Sequence, residues 1–288
     1  MKISGSMLYW LLISVAGYLF SSQYVSLCEA TPVDFNNDGV SDIAVFRPSI
    51  GLWAIRDITR VYYGADGDIP VPQDYYGSEA TDIAVFRPST GLWGIRGYTS
   101  LYYGTDGDIP VPANYITGQP AQIAVFRPST GLWSVRSYTS FYLGSSDSVP
   151  VPGDYFALER ATGAVFNSGT WALRQPLTGE VTYSSLGDNN DTPVPGDWFY
   201  LERLSLATFD SGTWAQKQPY TGVVSYYYLG QANDIPVPAV HTNLERINRA
   251  IYRNGRWDIQ NPITGTVTTC WFGSQTDIPL SSLLNGYY

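Results

Sequence analysis

Along most of the chain, apolar residues come in short runs broken at regular intervals by Gly and Pro. Residues 82 to 104 show the grain: DIAVFR, the turn PSTG, LWGIR, then SLYYG after three residues. Runs this short, rich in β-branched and aromatic residues and bounded by turn formers, predict strands. No segment beyond residue 30 sustains a helical period. Pairing Arg87 with Leu92 sets Phe86 opposite Trp93 and Ala84 opposite Ile95, so two aromatic rings meet across the hairpin. Both of its faces are apolar, which predicts a small sheet covered on both sides. The flanking IPVP cannot donate a full ladder of hydrogen bonds through its prolines, so it is expected at a sheet edge or between sheets.

The pattern repeats. DIAVFRPSIGLW begins at Asp42, DIAVFRPSTGLW at Asp82 and QIAVFRPSTGLW at Gln122, and tryptophans at 53, 93, 133, 171, 214 and 257 mark six units. A period near forty residues indicates a repeat architecture. Short antiparallel sheets, each covered by its neighbours, predict an all-β fold, a six-bladed β-propeller. An open β-solenoid competes, but its turns need fewer residues. TPVDF (31 to 35) and TDIPLSSL (276 to 283) each look like half of the internal connector DIPVPxDY, so the N- and C-terminal segments are expected to close the ring. Units 4 to 6 shorten the first turn (FNSGTW, FDSGTW, YRNGRW) and lengthen the second around QPLTG, QPYTG or NPITG, which suggests two triplets of units.

Residues 1–30 break this pattern, with Lys2, an apolar run from Leu8 to Phe20 and a polar stretch ending Cys28-Glu29-Ala30. That order suits a secretory signal peptide cleaved after Ala30, leaving residues 31–288 as a single propeller domain with no membrane insertion; an uncleaved anchor is the alternative. Leu27 disfavours a lipid on Cys28. The leader holds one charge of each sign, so the net charge stays at −9 without it, and an acidic surface argues against nucleic acid as a partner. Cys270 alone then remains, so no intrachain disulfide staples the fold; it stands where Val61, Leu101 and Phe141 stand, as a small buried hydrophobe.

Unit 1 alone opens with a full D-x-N-x-D-G-x-x-D series: Asp34, Asn36, Asp38, Gly39 and Asp42. Oxygen donors from Asp34, Asn36, Asp38, the Val40 carbonyl and Asp42, with Gly39 for the sharp turn, suit a loop wrapped around calcium. It is not an EF-hand, because Val45 stands where the bidentate Glu belongs and a strand follows. A metal-free Asx-rich turn is the competing reading. Unit 2 keeps only Asp74 and Asp82 of the series and unit 3 only Asn114, so no metal is expected there.

The tile D-x-N-x-D-G-x-x-D-I-A-V-F-R-P-S-x-G-x-W followed by GDIPVP resembles the FG-GAP/VCBS-type repeats of secreted bacterial proteins, related to the calcium-loop propeller of integrin α subunits. The resemblance runs over residues 31 to 280. It implies a calcium-stabilised β-propeller at the cell surface, used for adhesion or ligand binding. The chain departs from the family in keeping one intact calcium loop where several are usual, and six units where integrin-like propellers have seven.

Catalytic chemistry has little to work with. The single histidine, His241, occupies the place of Tyr75, Tyr115, Tyr155 and Trp198, and reads as a replaced core aromatic. FDSGTW (209 to 214) approaches a sialidase Asp-box but is one residue short before the Trp, and Arg47, Arg87 and Arg127 recur one per unit instead of converging. Glu159, Glu202 and Glu245 are likewise one per unit, each followed by an arginine (160, 203, 246), which suggests charge-balanced loops. Twenty-three tyrosines and nine tryptophans give a binding surface more to use, if those of VYYG, LYYG, SYYYLG and the GDY and GDW connectors rim the grooves between blades instead of being buried. The expectation is a secreted or cell-surface recognition or adhesion module, not an enzyme, that binds a glycan or an extracellular protein. A self-assembling surface protein is the alternative, and a glycoside hydrolase the weakest one.

Overall fold

The structure, a computed structural model, describes residues 33–244 and 246–281; the leader expected at 1–30, the signal cleavage site and Glu245 lie outside them. Within that range the fold is a six-bladed β-propeller, each blade an antiparallel four-stranded sheet. Blade 2 serves as the type, with strands Ile69–Pro70, Ala84–Arg87, Leu92–Ile95 and Thr99–Tyr102 in that order across the sheet. The pairing is the one the hairpin pattern requires: Arg87 faces Leu92, Phe86 faces Trp93 and Ala84 faces Ile95. The strand begins two residues later than the run DIAVFR, because Asp82 leaves the ladder for an isolated bridge to Gln73 and turns its carboxylate to the Tyr75 N–H (2.8 Å). The turn closes on Gly91, at φ +68°, where an added Cβ would stand 2.4 Å from the Gly104 carbonyl oxygen, so only glycine fits.

The prolines of IPVP sit where the pattern places them. Ile69–Pro70 is an edge strand of two residues, and Val71, between the prolines, supplies the N–H that Pro70 and Pro72 lack, donating to the Ala84 carbonyl (2.8 Å). This edge turns to the ring's axis, and the third long strand of each blade is the outer rim. Six tryptophans, one per blade, are fully buried. Each indole N–H reaches a carbonyl of the rim strand's end: Trp53 to Tyr63 (3.0 Å), Trp93 to Tyr103 (2.9 Å), Trp133 to Leu143 (3.1 Å), Trp171 to Leu186 (3.1 Å), Trp214 to Leu229 (3.0 Å) and Trp257 to Phe272 (2.9 Å).

Blade 1 is where the chain ends meet. Its inner strand, Ile278–Pro279, comes from the C-terminal segment and pairs with Ala44–Arg47, while Val33 from the N-terminal segment packs with Leu280 in the same core as Trp53. The two half-connectors thus complete one blade between them.

The recurring arginines are explained by the same connectors. Arg87 grips Asp68 through Nε (2.7 Å) and Nη2 (2.9 Å), Arg127 grips Asp108 at the same distances, Arg253 grips Asp234, and Arg47 grips Asp277 across the closure (2.6 and 2.9 Å). Each aspartate side chain is fully buried. The arginines therefore serve their own blades and share no common site. Blade 4 holds Ser148 and Asn167 at these positions, a neutral substitute for the ion pair.

Candidate functional site: connector loops and rim

The Asp34–Asp42 loop is built on its own carboxylates. Asp34, buried, accepts the N–H groups of Asn36 (3.3 Å), Asp38 (3.2 Å) and Gly39 (2.8 Å), and Asp42 accepts that of Phe35 (2.7 Å). Asn36 donates from Nδ2 to Asp38 (3.0 Å), whose other oxygen accepts the Val40 N–H (2.9 Å). Burial pushes the Asp42 carboxyl up to about 6, the neighbouring charges of Asp34 and Asp38 adding to the shift and the Phe35 N–H opposing it. Among the described residues, no three His, Cys, Asp or Glu side chains gather closely enough to hold an ion. The five candidate ligands share one turn, with Gly39 at φ +81° and open space around it. The donor set is oxygen only and carries three carboxylates, which fits a hard cation such as calcium.

The same aspartate recurs where the other ligands are gone, and its job there is visible. Asp74 accepts the N–H groups of Gly77, Ser78 and Glu79, Asp154 those of Phe156 and Leu158, and Asp197 those of Leu201 and Glu202. The turn so fixed presents a main-chain carbonyl to the next blade. Thr81 donates to the Asp34 carbonyl (2.7 Å), Ala121 to Asp74 (2.8 Å), Ala161 to Asn114 (2.7 Å), Leu204 to Asp154 (2.7 Å), and Ser41 of blade 1 to Val240 of blade 6 (2.7 Å). These bonds form a belt linking successive connector loops. Sequence reasoning missed it, because a local Asp repeat does not show which neighbour the turn faces.

His241 does the work of the aromatics it replaces. Tyr75, Tyr115 and Tyr155 donate their hydroxyls to the carbonyl four residues earlier (2.8, 2.7 and 2.9 Å), Trp198 does so through its indole (3.2 Å), and His241 Nε2 lies 3.2 Å from the Val237 carbonyl. Its Nδ1 lies 3.3 Å from the Ser41 carbonyl across the closing seam. Burial lowers its pKa below the usual 6.5, against the pull of those two carbonyls. The unfolded chain therefore takes up the proton first as pH falls: the histidine's contribution is complete above pH 6.5 and declines below it. Asp42 acts in the opposite sense, since its raised pKa costs stability as pH rises from about 4 to 6. His241→Tyr keeps Asp42 and removes the imidazole. The stability difference between variant and parent should thus shift in the variant's favour as pH falls from 7.5 to 5, read by urea unfolding.

Among the described residues, which do not include Glu245, no ion pair holds Arg160, Arg203 or Arg246 in the loops after Leu158, Leu201 and Leu244. Their arginines reach an aromatic residue or a carbonyl across a seam: Arg160 donates to the Tyr138 hydroxyl (3.3 Å), Arg203 to the Tyr155 carbonyl, and Arg246 lies over the Tyr200 ring at 4.2 Å. Glu159 and Glu202 take left-handed turn positions, at φ +53° and +54°. These half-buried guanidiniums are thus held by oxygen acceptors and an aromatic ring of the neighbouring blade.

Tyrosines divide by position. Those of the GDY connectors are buried, and in VYYG and LYYG the second tyrosine, Tyr63 or Tyr103, turns into the seam. The first turns out. Tyr62, Tyr102 and Tyr142 are 71–73% exposed, and Tyr228 and Trp271 stand at the same register of blades 5 and 6 with 74% and 71%. Five of six blades thus carry one exposed aromatic at the same point of the rim, with Ser185 in blade 4. Cys270 packs against the blade 6 core, and burial raises its thiol pKa.

No family model matches the chain, and no curated protein matches it. Among solved structures it resembles BBS1N, crystallised in complex with ARL6DN and soaked with lead, at 12% identity and a TM-score of 0.54, covering 85% of this chain and 81% of that one. The mercury-soaked form gives 13% and 0.53 over the same shares. A further likeness is to the extracellular domain of the one component system BT4673 from B. thetaiotaomicron, with 12% identity, a TM-score of 0.46 and coverage of 91% and 44%. The likeness to BBS1N agrees with the propeller fold and shows the fold alone. Among the described residues no helix is long and apolar enough to cross a membrane.

Proposed function

We propose that the chain is an exported recognition or adhesion module without enzymatic activity, binding a glycan or an extracellular protein, with calcium held by Asp34, Asn36, Asp38, the Val40 carbonyl and Asp42 as a structural ion. The observation that carries the reading is the rim. Five large aromatic side chains at one register, each more than two-thirds exposed, contribute nothing to the core, and such amphipathic rings are what sugars and protein partners dock on. BBS1N was crystallised in complex with ARL6DN, which supports a binding role for a propeller of this build and says nothing of the partner here. Rim strands are also open edges, so the rim itself favours one second reading, lateral self-assembly.

The test is a glycan-array screen with calcium and again with chelator, beside size-exclusion chromatography over a concentration series. Selective glycan binding supports the module, and concentration-dependent assembly with a blank array supports the second reading. Calcium has its own check. Asp38→Ala should abolish a calcium-dependent gain in melting temperature that corresponds to about 3 kcal/mol at a hundredfold excess over Kd. If parent and variant melt alike with and without chelator, the loop is a metal-free turn.

A further inference from the structure

The seams between blades are filled in different ways. Between blades 2 and 3 lies a cavity of about 440 Å³, lined by Ile95, Tyr98, Leu101, Ile123 and Arg136 among others, a size that suits a small-molecule site. At the next seam Phe141 stands in place of Leu101 and Gly163 in place of Ile123; a Cβ on Gly163 would lie 2.5 Å from the Phe141 ring. Arg174, the counterpart of Arg136, is folded over that ring at 4.4 Å. Lys217, the counterpart in blade 5, donates to the Ser184 hydroxyl (2.8 Å) and the Ser185 carbonyl (3.1 Å). Between blades 5 and 6 the place of Ile123 is taken by Arg249, whose guanidinium lies 3.4 Å from the Tyr227 ring centre. Arg56 of blade 1 pairs with Asp57 (3.4 Å). The blade 2–3 seam carries Leu101 at this place, as the blade 1–2 seam carries Val61, and differs from that seam in presenting the aromatic Tyr98 where blade 1 has Ile58.

Arg136 is exposed, no ion pair holds it among the described residues, and none of the cavity's lining residues is acidic. Its guanidinium is therefore open to an anionic group of a ligand seated in the cavity. Opposite the apolar floor, Tyr98 is 60% exposed and is fixed by Tyr76, ring centres 4.4 Å apart, which makes a rigid aromatic wall with a hydroxyl at its edge. An apolar ring face beside a polar edge matches a pyranose, and an unpaired guanidinium matches a carboxylate in bidentate geometry.

We propose that this groove is a subsite for a carboxylate-bearing sugar, a uronate, with the acid group on Arg136 and the ring against Tyr98. The proposal rests on the recognition reading and names its ligand class. It is tested by titration calorimetry of the purified protein with digalacturonate and with its methyl ester. Saturable binding of the acid is expected, weakened about tenfold or more by methyl esterification and by Arg136→Gln. Tyr98→Ala should weaken it too, while Arg96→Gln, the counterpart in blade 2, leaves it unchanged. Arg136 is exposed, so its variant should melt as the parent does. Absence of saturable binding in the parent, equal binding by Arg136→Gln, or binding only of an acidic peptide overturns the assignment. Neutral glycans found on the array would in that event keep the recognition reading standing.

Discussion

Trp133→Ala is expected to lower stability by about 3–5 kcal/mol, the largest effect of any single substitution considered. The side chain is fully buried and lies between two rings, Phe126 at 5.3 Å and Phe141 at 5.8 Å, the latter nearly parallel at 11°. Its removal leaves a cavity between two rigid strands whose backbones are held in register by the hairpin, so collapse around the void is limited. It also strands the Leu143 carbonyl, which now accepts the indole N–H at 3.1 Å. Trp133→Phe separates the two contributions, because it keeps most of the volume and loses the donor; a cost of about 1–2 kcal/mol is expected there. Urea unfolding of both variants gives the comparison. If the alanine variant costs no more than the phenylalanine one, the aromatic layer is not what holds the blade.

What was legible in the sequence follows from what is local. The hairpin register and the six units could be read because side-chain alternation and turn residues are set within a few residues of one another, and the closure because each chain end repeats half of the internal connector. The Asp–Arg pairs left a signal that was not used: a constant spacing of nineteen residues between Asp68 and Arg87, Asp108 and Arg127, Asp234 and Arg253. Partners across a seam left none. That Arg246 lies over Tyr200, or that the Asp74 carbonyl takes the Ala121 N–H, depends on how two blades sit side by side, and pattern within one blade does not encode it. The same limit applies to Tyr62 and Tyr63. Alternation says that they face opposite ways, but only the ring decides which way is out.

Arg127→Asn is expected to cost about 2–4 kcal/mol, and adding Asp108→Ser should restore most of it. The single change leaves a fully buried carboxylate with only the Thr105 N–H (2.9 Å) and hydroxyl (3.4 Å) to hold it. The arginine is one-third exposed, which tempers the penalty below that of a wholly buried pair. The double variant copies what blade 4 already does with Ser148 and Asn167, where a hydroxyl takes the carboxylate's place and accepts the Ser145 N–H (3.0 Å). A double-mutant cycle by urea unfolding should therefore show coupling of more than about 1 kcal/mol; additivity within about 0.5 kcal/mol would mean that the pair is ornamental to stability. The position of the pair matters as much as its chemistry. In blade 3 it ties residues nineteen apart, whereas Arg47 and Asp277 are 230 apart and bind the last strand to the first. Arg47→Asn should accordingly free the short Ile278–Pro279 strand at the closure before the rest of the ring opens. Amide exchange at Leu280, whose N–H donates to the Ala44 carbonyl (2.9 Å), should then accelerate well beyond that of Val111, its counterpart in the uncut blade 3. Equal acceleration at both would place the loss in the ring as a whole and not at its seam.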